Sequence, residues 1–112
     1  MSEPTESKIS PWFPEKDPVR LAVLGKLAEE LNECAARVMR CLIQGIDEKD
    51  PDTGRTNHFE LEKELSDVAA CIKLLEIEFR ATPNPARIDR KVQGFLSWHQ
   101  LIEARMAAES EQ

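Results

Sequence analysis

Apolar residues recur along this chain with the period of a helix. Leu21, Leu24, Ala28, Leu31, Ala35, Val38 and Leu42 follow one another at steps of 3, 4, 3, 4, 3 and 4, which puts them on one face of a helix. Asp17-Pro18 precedes them, a capping side chain followed by a residue suited to the first helical position. Gly45 follows as a C-terminal stop. A second run, Leu61, Leu65, Val68, Ile72, Leu75 and Phe79, steps 4, 3, 4, 3 and 4 and ends before Pro83. Asn57 and Glu60 in front of it have the spacing of a capping box. Asn84-Pro85 opens a third helix with Ile88, Val92, Phe95 and Trp98/His99 along one side and Gly94 as a possible bend.

Between the first two helices, Ile46 to Thr56 carries the turn chemistry Asp50-Pro51-Asp52-Thr53-Gly54. This is no EF-hand: counted from Asp50, Gly54 is fifth and Leu61 twelfth, where calcium binding needs Gly sixth and Glu twelfth. Residues 1–17 contain Pro4, Pro11 and Pro14 without periodicity and read as an irregular arm whose Trp12 and Phe13 dock on the body or on a neighbouring subunit. Ala107 to Gln112 read as a fraying end.

Strand-like alternation and internal repeats are absent from the sequence. The expected fold is all-α: an antiparallel hairpin plus a third helix, in one domain over residues 18–108. Three helices leave apolar stripe uncovered. The expectation is therefore a homo-oligomer, dimer or tetramer, of four-helix-bundle type.

The 112 residues carry 15 Lys+Arg against 21 Asp+Glu, a formal charge of −6. Such a chain is poorly suited to nucleic acid, whose backbone calls for positive charge. It remains compatible with a polyphosphate held through a metal ion. The longest apolar runs, such as Val68-Ala69-Ala70-Cys71-Ile72, are five residues, against roughly 20 for a membrane span. The N-terminus lacks the basic-then-apolar order of a signal peptide. Three cysteines, Cys34, Cys41 and Cys71, lack metal-site spacing and an even count; they read as buried thiols of a cytoplasmic protein.

The chemistry concentrates in carboxylates. Glu30 and Glu33 are neighbours on the first helix, Glu64 and Asp67 on the second. On helical wheels Glu30 and Asp67 each lie about 120° from their own stripe, on the same rotational side. In an antiparallel pair, both then point to one flank. Their heights agree, roughly 18 Å for Glu33 and 15 Å for Asp67 from the hairpin loop. Glu64 lies only about 60° from the seam, where a carboxylate is costly unless a cation offsets the lost hydration. Four carboxylates suit Mg²⁺ or Mn²⁺. The same spacing also fits a solvated face, because Lys26–Glu30, Glu33–Arg37 and Lys63–Asp67 are opposite charges four apart.

Glu29-Glu30-Leu31-Asn32-Glu33 matches Glu-Glu-x-x-Glu, and Glu64-Leu65-Ser66-Asp67 matches Glu-x-x-Asp. This pair of motifs on two long antiparallel helices resembles the all-α NTP pyrophosphohydrolase superfamily, specifically its MazG-like members. The resemblance covers about residues 20–80 and more loosely Arg87 to Trp98. Thirty residues separate the motifs, slightly more than usual in that family, and the 46–56 loop absorbs the excess. The resemblance implies hydrolysis of a nucleoside triphosphate to monophosphate and pyrophosphate, with Glu30, Glu33, Glu64 and Asp67 as metal ligands. It gives Glu29 a supporting role in orienting water.

Basic residues are then expected to complete a phosphate site. Lys63, Arg87, Arg90 and Lys91 are the candidates, with Lys49 and Arg55 in the loop. His58, Phe59, Trp98 and His99 are candidates for stacking on a base. Two other readings stay open: a non-catalytic helical oligomer that binds a partner or a nucleotide, and a phosphoribosyl-ATP pyrophosphohydrolase.

Overall fold

A computed structural model describes residues 10–111. These residues form three helices and no strand: α1 (Pro18–Gln44), α2 (Asn57–Phe79) and α3 (Pro85–Ser110). Among the described residues no helix is long and apolar enough to cross a membrane. The chain separates after Ala81 into two compact units, the second beginning at Thr82.

The helix ends follow local chemistry. Asp17 Oδ2 accepts the Arg20 N–H at 2.9 Å, with Pro18 in the first turn. α1 stops at Gly45, whose φ of 101° is open to glycine and strained for other residues. Asn84 caps α3 by accepting the Arg87 N–H at 3.0 Å. α3 runs as one helix from Pro85 through Gly94 to Ser110. At α2 the expected capping box is corrected. Thr56 is the cap, its Oγ1 accepting the Phe59 N–H at 3.1 Å, while Asn57 and Glu60 are turned inward and 0% and 2% exposed.

α1 and α2 pair as the expected hairpin, but α1 is rotated from the expected face. The α1 residues removed from solvent are Val23, Leu27, Glu30, Cys34, Arg37, Cys41 and Gln44. This row steps by 4, 3, 4, 3, 4 and 3, one residue ahead of the apolar stripe. Leu21, Leu24, Leu31, Val38 and Leu42 stand exposed, Leu42 at 74%. The α2 face contains Asn57, Glu60, Leu61, Glu64, Asp67, Val68, Cys71, Ile72, Leu75 and Phe79. Among the described residues only Val23 and Cys71 are buried apolar side chains. The seam is thus unusually polar, and the longest apolar row of α1 faces away from it.

Polar bonding holds the loop end of the hairpin together. Asn57 donates to Gln44 Oε1 at 3.1 Å and to the Gly45 carbonyl at 3.0 Å, and accepts from Arg37 Nη1 at 3.0 Å. The same Arg37 nitrogen donates to Asp50 Oδ2 at 2.6 Å, and Asp50 is 1% exposed. Arg55 Nε donates to Glu60 Oε1 at 2.6 Å. The loop closes on itself through an antiparallel bridge between Lys49 and Thr56. Each buried polar group here has a partner, which is the condition for tolerating it. Trp12 and Phe13 lie exposed, undocked on the hairpin. The three cysteines are free thiols, Cys71 buried and the other two half-buried.

The second unit, from Thr82, contains α3, none of whose residues is buried within this chain. Val92, Phe95, Leu96, Trp98, His99 and Ile102 form one largely apolar side of it.

Candidate metal centre in the helical seam

The middle of the hairpin brings carboxylates together. Glu30 of α1 and Glu64 and Asp67 of α2 each offer an oxygen, and the three oxygens lie within 4.8 Å of one another. Glu29, Glu30 and Glu33 form a second group whose oxygens also lie within 4.8 Å of one another, so Glu30 belongs to both. All five predicted carboxylates are therefore gathered around Glu30. They sit differently from the flank placement expected: rotation of α1 carries Glu30 into the seam, where it is 8% exposed. Glu64 and Asp67 are half-buried beside it, while Glu29 and Glu33 lie at the surface.

The electrostatics are those of an anionic pocket short of countercharge. Lys26 Nζ lies 3.4 Å from Glu29 Oε1 and 3.4 Å from Glu30 Oε1, and these two carboxylates raise the Lys26 pKa above its ordinary value. Of the other pairs of the solvated-face reading, Glu33–Arg37 gives way to Arg37–Asp50. Glu30 Oε2 and Glu64 Oε2 are both buried without a hydrogen-bond partner. The carboxyl of Glu33 is pushed above its usual range, first by the charge of Glu30, then by partial desolvation and the charges of Glu29 and Glu64. A buried acceptor without a donor is costly in an apolar interior, and two in one cluster of like charge more so.

A groove of about 230 Å³ runs from this cluster, lined by Glu33, Ala36, Arg37, Arg40 and Glu64. Arg37 and Arg40 were missed as candidates for the site. Their spacing from Glu33, four and seven residues along the same face, is the signal that could have found them. Arg37 is committed to Asp50, whose carboxyl it holds below the usual range together with the Asp52 N–H.

The remaining predicted residues divide between the units. Lys63 is exposed on α2 next to Glu64, and Arg87, Arg90 and Lys91 are exposed on the first turns of α3 in the second unit. Lys91 lies over the Phe95 ring at 6.0 Å. Of the stacking candidates, His58 pairs with Glu62 at 2.7 Å, and Phe59 lies under the Arg55 guanidinium at 5.3 Å. Trp98 and His99 belong to the apolar side of α3.

Compared with protein-family models, with curated proteins and with solved structures, the chain matches none.

Proposed function

We propose that this chain is a metal-dependent nucleoside triphosphate pyrophosphohydrolase, cleaving an NTP or dNTP between the α- and β-phosphates. The observation that carries the reading is the pair of orphaned buried oxygens, Glu30 Oε2 and Glu64 Oε2, in a cluster of carboxylates from two helices. Oxygens of this kind fit a hard divalent cation, Mg²⁺ or Mn²⁺. Glu30, Glu64 and Asp67 would hold it from the seam, and Glu33 from the surface side. Such an ion, when bound, neutralises phosphate charge and makes water a better nucleophile at neutral pH.

The protein's own groups do the rest. Glu29, exposed beside Glu30 and restrained by Lys26, orients the attacking water. Addition of that water at the α-phosphorus breaks the bond to the bridging oxygen, giving nucleoside monophosphate and pyrophosphate. Lys63 and the α3 residues Arg87, Arg90 and Lys91 are the proposed cationic partners of the phosphates.

Homo-oligomerisation is part of the same reading. The exposed row Leu21, Leu24, Leu31, Val38 and Leu42 is a regular helical stripe that a second copy would cover, as in a four-helix bundle. Free thiols at all three cysteines agree with a cytoplasmic location.

A panel of NTPs and dNTPs, assayed for pyrophosphate with Mg²⁺ and with excess EDTA, tests the activity. Metal-dependent pyrophosphate release is expected. Orthophosphate as the product, or full activity in EDTA, refutes the reading. Stable oligomers with no turnover on any substrate point instead to the non-catalytic binding module.

A further inference from the structure

The groove beside the carboxylates is lined by two sets of opposite charge, Glu33 with Glu64 and Arg37 with Arg40. A ligand filling it presents metal-binding oxygens to the first and free anionic oxygens to the second. A polyphosphate chelated to a cation has that character. At about 230 Å³, the groove falls below the roughly 300–1,000 Å³ usual for whole drug-sized ligands. It has room for the phosphate part of a nucleotide rather than for all of it.

The two arginines are not equivalent. Arg37 Nη1 is taken by Asp50 at 2.6 Å and Asn57 at 3.0 Å, and its side chain is largely buried. Arg40 approaches Asp50 only at 3.8 Å and Asp52 only at 3.9 Å. Both distances are too long for hydrogen bonds, and the Arg40 side chain is 45% exposed. Its planar fork of five N–H donors therefore has capacity to spare.

Resting on the proposed reaction, we infer that Arg40, seven residues along α1 from Glu33 in the lining of the groove, is the residue of α1 that contacts the polyphosphate. Arg37 is a positioning residue. Fixed by Asp50, it holds the loop against α1 and keeps the Asp50 carboxylate from pairing closely with Arg40. A guanidinium matches phosphate oxygens in a bidentate manner that an ammonium does not reproduce.

The test is calorimetric titration of inorganic tripolyphosphate into the full chain with Mg²⁺, for wild type, Arg40→Ala, Arg40→Lys and Lys73→Ala. Lys73 is exposed on α2, nine residues from Glu64 and so about 180° around the helix. Its loss changes the net charge equally. Arg40→Ala is expected to weaken binding about tenfold or more, Arg40→Lys to recover part of that, and Lys73→Ala to stay within about twofold. Thermal melts without ligand are expected to differ little between Arg40→Ala and wild type, since Arg40 makes only two long ion pairs, with Asp50 and Asp52, from a half-exposed side chain. If Arg40→Ala melts lower, Arg40→Lys decides alone, with weakened binding at an unchanged melting temperature. The inference is overturned if wild type binds no tripolyphosphate, if the Arg40 variants bind like wild type, or if Lys73→Ala loses as much. Parallel NTP assays separate this inference from the reaction. Arg40-dependent binding without turnover sinks the reaction alone; turnover with an unchanged KM in Arg40→Ala sinks the contact alone.

Discussion

Glu64→Gln puts the metal-centre reading at greatest risk. Oxygens of Glu30, Glu64 and Asp67 lie within 4.8 Å of one another. Two unit charges at that separation repel by about 3.5 kcal/mol at an effective dielectric near 20. Glu64 enters two such pairs, but it and Asp67 are only half-buried, and solvent and salt remove much of the repulsion. A net relief of about 1–2 kcal/mol is a reasonable expectation for the metal-free protein. The amide adds a donor where Glu30 Oε2 has none.

Each kcal/mol moves the melting temperature of a domain this small by roughly 4–8 °C. In EDTA, Glu64→Gln is therefore expected to melt several degrees above wild type. Added Mg²⁺ is expected to raise wild type, because binding to the folded state stabilises it. The variant should lose most of that rise along with pyrophosphate release. Melts of both proteins, at one protein concentration so that association is held fixed, give all four values. A metal-free variant that melts at or below wild type, together with an Mg²⁺ response equal to wild type's, would falsify the claim that these carboxylates form a cation site.

Asn57→Ala removes three hydrogen bonds from a fully buried side chain. It should cost about 2–4 kcal/mol, seen as a lower urea midpoint at unchanged slope, and a loss under about 0.5 kcal/mol would contradict the bonding described. The Asp50 carboxyl titrates below its ordinary value of 3.8 because Arg37 stabilises its charged form. Its stabilising contribution is thus complete above about pH 4 and fades as the pH falls through the lowered value. Urea melts of wild type and Asp50→Asn between pH 6 and pH 2.5 should converge at the acid end; a constant gap across that range would rule the linkage out. Arg87→Ala or Lys91→Ala should raise KM without lowering the melting temperature, and steady-state kinetics unchanged in both would return these residues to ordinary surface.

The helix ends were legible in the sequence because capping is local: Asp17 with Pro18, Gly45, and Asn84 with Pro85 act within a few residues of themselves. Asn57 was misread for the opposite reason. Its partners Arg37, Gln44 and Gly45 lie on the other helix or at its end, and no short spacing encodes them. The two carboxylate pairs were legible because i, i+3 neighbours are fixed by the helix itself; where they meet depends on the antiparallel register and on the rotation of each helix.

The rotation of α1 was not legible, and it connects the two main features of the hairpin. A seven-residue apolar repeat says that a face is to be covered; it does not say by what. In this chain the row Leu21 to Leu42 was expected against α2, yet α2 meets the neighbouring row containing Glu30, Cys34 and Arg37. Each of these three lies one residue, or about 100°, from the stripe. Had α1 turned its apolar stripe to α2, Glu30 would sit toward the solvent and its carboxylate would be hydrated at little cost. Turned as it is, Glu30 meets Glu64 with two oxygens unpartnered, and the leucines are left exposed. The polar interior and the apolar exterior are thus consequences of one helix orientation. Within the hairpin neither lowers the free energy. A cation in the seam and a second copy over the stripe would offset both costs together, so metal binding and self-association are expected to strengthen each other.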